Sequence, residues 1–163
     1  MYDGSITRFE RIRFLDGAFV LPILPDGRIL LTRQEQPGRS EFISLPGGAF
    51  DTPDEDPMTC ACRELLEETG YESDDLHEWV TFYGTSNAYT EAHYYIARDC
   101  RQIGDITPDG GEKIQLFIVS FEELLELSSD PAFHHHWNLL PIFYEARLHP
   151  EKKEELRKKL YGM

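Results

Sequence analysis

Apolar residues run in short blocks along the chain, and turn-formers bound each block. Residues 17–24 ("GAFVLPIL") and 28–33 ("RILLTR") read as strands, joined by a hairpin signal at Pro25-Asp26-Gly27. Residues 41–46 ("EFISLP") read as a third strand running into Gly47-Gly48. "EWVTFYG", "AHYYIAR" and "KIQLFIVS" follow, rich in β-branched and aromatic residues. The rhythm changes after Asp56. An N-cap acid, Pro57 at the first helical position and Gly70 as a C′ stop frame a helix. Helical spacing predicts that Met58, Ala61, Cys62, Leu65 and Leu66 form its apolar stripe, with Glu64, Glu67 and Glu68 on the opposite side. Residues 121–128 predict a short helix. Residues 131–148 predict a helical segment that Pro141 kinks or divides, and residues 150–162 a charged, exposed helix.

Strands and helices interleave without a regular βαβ rhythm, which predicts an α/β (α+β) fold with a mixed sheet flanked by helices. No repeat or low-complexity linker divides residues 1–163, so one domain is expected.

The net charge of -14 over 163 residues changes the picture of partners. Such a surface repels phosphate backbones and anionic lipid, so neither nucleic acid nor membrane is expected as a partner. A small phosphate compound is still admissible if a cation mediates. The N-terminal "MYDGSITRFERIRF" has charges where a signal peptide has an apolar run, and a cytoplasmic location is expected. Cys60, Cys62 and Cys100 lack zinc-site spacing and read as reduced thiols.

Within "RELLEETGY" (residues 63–71), three carboxylates at i, i+3 and i+4 repel one another unless something neutralises them. Mg²⁺ prefers such hard oxygen ligands, and Arg63 can pair with Glu67 one turn on. The spacing alone fits a solvated face as well as a metal site.

The context resembles the Nudix box of the Nudix hydrolases. Glycines are followed by Glu55, seven residues, and then Arg63, Glu64, Leu65, Glu67, Glu68, Gly70 and Tyr71 in their slots, with "LPGG" upstream. "GAFVLPILPDGRILLTRQEQ" and "HYYIAR" are similar to the flanking strands of the ADP-ribose pyrophosphatase-like branch. One residue is inserted within "AFDTPDE", so the family's glycine slot falls on Ala49, and Gly48 lies one residue further out.

The resemblance implies a Nudix α/β/α sandwich that hydrolyses a nucleoside diphosphate linked to another moiety, such as ADP-ribose. It implies Mg²⁺ or Mn²⁺ held by Glu64, Glu67, Glu68 and the Gly48 carbonyl, with Arg63 braced by Glu55. Glu67, Glu68 or Glu112, in the loop before the last predicted strand, is the implied base. Arg33 and Arg39 are candidate phosphate contacts, while Phe50 and Tyr89 are candidate faces for a base. A homodimer is left open. The alternatives are a dinucleoside polyphosphate or damaged-dNTP pyrophosphatase, and a non-catalytic Nudix-derived nucleotide sensor. "FHHHW" (residues 133–137) reads as a solvated or interface patch, because consecutive helical histidines diverge.

Overall fold

The computed structural model describes residues 4, 6–85, 87–107, 111 and 113–163, with the side chains of all of these except positions 134 and 135. In chain order the strands are β1 (Ile12–Arg13), β2 (Gly17–Pro22), β3 (Ile29–Glu35), β4 (Phe42–Ser44) and β5 (Gly47–Ala49). Helix α1 (Pro57–Thr69) follows, then β6 (Tyr71–Glu72), β7 (Asp75–Tyr83), β8 (Ala88–Tyr89), β9 (Glu91–Arg98), β10 (Arg101–Gln102) and β11 (Lys113–Val119). The chain closes with α2 (Phe121–Leu127), a 3₁₀ turn (Pro131–His136), α3 (Leu140–Leu148) and α4 (Pro150–Tyr161).

The expected hairpin turn forms, but its strands separate. A single bridge, Ile23 to Ile29, closes it. Beyond that bridge β2 enters a mixed sheet of order β5-β2-β9-β7, where it runs parallel to β9. β3 enters an antiparallel sheet of order β11-β3-β4.

Period-2 alternation then divides the side chains between two cores. Ala18 and Val20 of β2 and Tyr95 and Ala97 of β9 face α1, packing with Leu30, Cys60, Ala61 and Leu65. Leu21 and Ile96 face the other way, onto Leu124, Phe133, Phe143 and Leu160 of the C-terminal helical layer. Helices therefore cover both sides, as the α/β/α sandwich requires.

Helix α1 has the predicted frame. Asp56 caps it by accepting from the Thr59 amide, and Gly70 ends it at φ 73°, where a Cβ would stand 2.3 Å from the Gly104 carbonyl oxygen. Its buried face is the predicted one only at Ala61 and Leu65. Cys60, Ala61, Leu65, Glu68 and Thr69 are buried, whereas Met58, Cys62 and Leu66 are exposed. The sheet accepts the small side chains at 60, 61 and 69, which rotates the helix and carries Glu68 inward.

Pro141 divides the 131–148 segment, standing in the first turn of α3. The expected exposure of the last helix is also corrected. Leu156 and Leu160, one turn apart, are buried, and Tyr161 donates to the Gly27 carbonyl. Arg98 donates to the Leu160 and Lys159 carbonyls, satisfying groups that a helix end leaves unpaired. No helix among the described residues is long and apolar enough to cross a membrane.

Candidate functional site

Glu68 is only 5% exposed. A carboxylate at that depth needs donors to replace water. Gln34 Nε2 donates to Oε1 at 2.9 Å, and the Gly47 amide donates to Oε2 at 3.0 Å. Gln34 occupies the inward phase of β3, next to Thr32, to which it also donates at 3.1 Å. Thr32 in turn donates to the Ser44 carbonyl. The acidic end of α1 is thus tied to both β3 and β4. Gln34 escaped the sequence reading. Its signal was a polar residue on the buried phase of an otherwise apolar strand.

Arg63 is the hub of the exposed half. Its Nε and a terminal nitrogen donate to the two Glu55 oxygens at 3.2 and 3.3 Å, the bidentate pairing expected for this box. The other terminal nitrogen donates to Glu64 at 2.8 Å and Glu67 at 3.2 Å. Burial opposes a charge here, but the bonds to Glu55 and the charge of Glu64 outweigh it and hold the guanidinium above its usual range. Glu55 is held below its usual range by Arg63 first and the Asp51 amide second. That bond from Asp51, at 2.8 Å, closes the loop that contains the inserted residue.

Gly48 packs directly on Glu64, and a Cβ there would stand 2.6 Å from Glu64 Oε1. Its carbonyl oxygen lies on the β2 side, 2.7 Å from where a Cβ on Gly17 would be. The absence of a side chain at Gly48 leaves a gap that the Glu64 carboxylate occupies. Among the described residues, no three His, Cys, Asp or Glu side chains are grouped to enclose an ion. Arg63 draws Glu64 and Glu67 toward itself, and Glu68 is turned to Gln34.

The remaining candidates separate. Gln36, Arg63, Glu64 and Glu68 line a cavity of about 490 Å³. Arg39 donates to the Gln36 side chain at 3.4 Å and stands one contact from that cavity. Arg33 does not reach it. β3 alternation points Arg33 away from Gln34, over the Phe117 ring at 5.5 Å and beside Glu41. The Phe50 ring is largely buried against the α1 core and stacks on His93, and Phe50 also lines that cavity. Tyr89 donates to Glu91 at 2.5 Å. Glu112 lies outside the described residues.

A second cavity of about 300 Å³ adjoins the first and shares Leu15, Gly48 and Ala49 with it. Its walls include Phe19, Phe82, Tyr83, Glu91, Trp137 and Asn138. The "FHHHW" segment is thus partly structural. Phe133 is fully buried, and the His136 ring accepts from the Leu45 amide at 2.9 Å through Nε2. His136 Nδ1 lies 3.3 Å from the Tyr94 hydroxyl. Only Trp137 of the described side chains in this segment faces outward, beside the cavity.

A mixed sheet between two helical layers, with a Glu55-braced Arg63 among box glutamates, defines a recognisable class. The NUDIX domain model matches residues 13–141, and the chain belongs to the NUDIX family as a Nudix hydrolase. Three relatives resemble it over most of its length. The methanol dehydrogenase activator of Bacillus methanolicus is 25% identical over 146 residues, covering 87% of this chain and 78% of its own. The ADP-ribose pyrophosphatase of Bacillus subtilis is 26% identical, covering 77% and 69%. The GDP-mannose pyrophosphatase of Yersinia enterocolitica is 27% identical, covering 80% and 75%. A solved structure described as an ADP compounds hydrolase superposes with a TM-score of 0.66 at 21% identity, over 83% of this chain and 74% of its own.

Proposed function

We propose that this chain is a Mg²⁺- or Mn²⁺-dependent pyrophosphohydrolase that cleaves the diphosphate of a nucleoside diphosphate linked to another moiety, an ADP-sugar such as ADP-ribose first among them. The single observation that carries the reading is the cleft itself. One guanidinium stands among Asp51, Glu55, Glu64, Glu67 and Glu68, so the site holds excess negative charge that suits a hard divalent cation. The donor set fits, because Glu64, Glu67 and Glu68 offer only carboxylate oxygens. These three would hold the ion while Arg63 keeps Glu55. Such a cation, when bound, neutralises the phosphate oxygens and acidifies a water.

The chain's own residues do the rest. Gln34 and the Gly47 amide fix Glu68, and Arg63 fixes the orientation of Glu64 and Glu67. Arg39 supplies a positive charge beside Gln36 for a phosphate. In the reaction a water oxygen bonds to phosphorus, the bridging P–O bond breaks, and the water's proton passes to a carboxylate, Glu67, Glu68 or Glu112. The products are a nucleoside monophosphate and a sugar phosphate. Pyrophosphatases for ADP-ribose and for GDP-mannose among the relatives support this substrate class.

One relative is named as an activator, which supports a second reading in which the chain binds a nucleotide and regulates a partner. A phosphate-release screen with Mg²⁺ over nucleoside diphosphate sugars, dinucleoside polyphosphates and dNTPs separates the two. Turnover is expected with a nucleoside diphosphate sugar. Tight binding without turnover of any substrate would favour the regulatory reading.

A further inference from the structure

The His136 side chain is 1% exposed and has no part in the chemistry described so far. Aromatic rings set its plane: Phe133 stands 5.5 Å away between centroids, Phe19 edge-on at 5.2 Å and Tyr94 edge-on at 5.8 Å. Nε2 lies 2.9 Å from the Leu45 amide nitrogen and 2.9 Å from the Ser44 hydroxyl, and Nδ1 lies 3.3 Å from the Tyr94 hydroxyl. A backbone amide can only donate, so Nε2 is the bare nitrogen and Nδ1 carries the ring proton. The Ser44 hydroxyl has the Leu45 carbonyl, 2.7 Å away, as its own acceptor.

What Leu45 leads to gives this bond its consequence. The next residues are Pro46 and Gly47. Pro46 has no N–H and a fixed φ, so the chain passes stiffly from one amide to the other. The Leu45 amide goes to His136 in the C-terminal layer, and the Gly47 amide goes to Glu68 Oε2 on α1 at 3.0 Å. The other Glu68 oxygen is tied to the same place. Gln34 donates to Oε1 and to the Thr32 hydroxyl, and Thr32 donates to the Ser44 carbonyl. Both donors of Glu68 therefore trace back to Ser44 and Leu45, the two residues that Nε2 touches. Thr32, Gln34, Ser44 and Leu45 are all buried, so bulk water does not stand in for a lost bond.

We propose that His136 is a positioning residue for the acidic cleft. By accepting from the Leu45 amide it sets the segment from Ser44 to Gly47, and through that segment the two donors that aim the Glu68 carboxylate. The assignment rests on the hydrolase reading of the cleft, in which Glu68 is one of the carboxylates that hold the ion. Without an acceptor at the place of Nε2, the Leu45 amide is left buried and unsatisfied and turns toward another acceptor. Pro46 carries that turn to Gly47, whose N–H then leaves Glu68 Oε2.

The test uses the intact, isotope-labelled chain without substrate. Imidazole NMR is expected to find the His136 proton on Nδ1. Titration with Mg²⁺ should move the Gly47 amide resonance, and the Leu45 amide and His136 Nε2 resonances with it, all saturating at one concentration. In variants, affinity is read from free Mn²⁺ by electron paramagnetic resonance. His136→Asn stops short of Leu45 and should weaken Mn²⁺ binding about 10-fold or more. His136→Gln, whose side-chain carbonyl reaches the place of Nε2, should bind within about threefold of wild type. Leu160→Ala thins the same core from α4 and should stay within about twofold, which separates positioning from a general loosening. A proton on Nε2, or a Gly47 resonance that moves without Leu45 and His136, overturns the proposal on the wild-type chain alone. Undiminished Mn²⁺ affinity in His136→Asn, no recovery in His136→Gln, or an equal loss in Leu160→Ala overturns it as well. A Gly47 amide that Mg²⁺ leaves in place is a separate failure, that of the metal site in the hydrolase reading, and the positioning role falls with it.

Discussion

The Gln34 side-chain amide and the Glu68 carboxylate, 34 residues apart in sequence, meet at 2.9 Å in the buried floor of the cleft. With the Gly47 amide on the second oxygen, both sides of Glu68 face donors. Glu68→Gln would therefore aim an amide nitrogen at another donor, and an unsatisfied buried group costs about 1–3 kcal/mol. Glu64 accepts from the Arg63 guanidinium at 2.8 Å, a flexible donor that can re-aim at a neutral amide oxygen. Both Glu64→Gln and Glu68→Gln are expected to lower kcat by about 100-fold or more. Only Glu68→Gln should lower Tm, by about 2–10 °C. Thermal unfolding beside turnover tests this pair, and wild-type turnover in either variant would remove the proposed site.

The adjacent glycines should respond differently to the same methyl group. At Gly47 φ is 151°, and a Cβ would stand 2.3 Å from the Ala18 carbonyl oxygen. The obstacle is the β2 backbone at Ala18 and Phe19, so Gly47→Ala is expected to prevent folding or strip several kcal/mol, on the order of a strained site plus a clash. At Gly48 the obstacle is the end of the Glu64 side chain, which can swing away. Gly48→Ala should fold with Tm within about 3 °C of wild type while losing at least about tenfold in kcat. Circular dichroism melting and turnover on both variants check the contrast.

Acid should weaken the brace beneath the site. Glu55 titrates below its usual 4.5 in the folded chain, chiefly because of Arg63. A depressed carboxyl stabilises the fold fully above its unfolded pKa and ceases to do so as pH falls through the folded value. Urea unfolding should therefore show stability falling below about pH 4.5. Glu55→Gln should flatten that fall and leave the slope near neutral pH unchanged. An unaltered acid limb in the variant would contradict the brace.

The three thiols should differ in reactivity. Burial, then the charges of Glu55 and Glu64, push Cys60 up to about 12, despite Arg63 at 3.5 Å. Burial pushes Cys100 up to about 12 as well, while Cys62 is exposed. A thiol reagent at neutral pH should modify Cys62 alone in the folded chain and all three in denaturant. Mass spectrometry of the labelled peptides reads the result, and native labelling of Cys60 would contradict the packing of α1.

Local signals were the legible ones. The ends of α1 followed from Asp56, Pro57 and Gly70, and the box glutamates with Glu55 pointed to the braced Arg63. What sequence could not carry was long-range partnership. Hydrophobicity pointed to Met58 and Leu66 as the buried face of α1. The sheet kept Ala61 and Leu65 of the expected stripe and took Cys60 and Thr69 in place of the others, because small side chains allow close approach. The last helix looked solvated, yet Leu156 and Leu160 suffice to dock it once Arg98 and Gly27 stand opposite. Arg33 and Gln34 are neighbours, and only the strand's alternation decides which reaches the cleft. His136 gave no local sign of its role, because its partner amide at Leu45 lies 91 residues away.

The most direct test of the central claim is turnover of ADP-ribose as a function of Mg²⁺, measured on EDTA-stripped wild type and Glu64→Gln. The account predicts no turnover in EDTA and saturable recovery with Mg²⁺. It predicts in the variant either no recovery or a requirement for at least about tenfold more Mg²⁺. Equal rates in EDTA and in Mg²⁺, or a variant that saturates at the wild-type concentration with the wild-type rate, would contradict it.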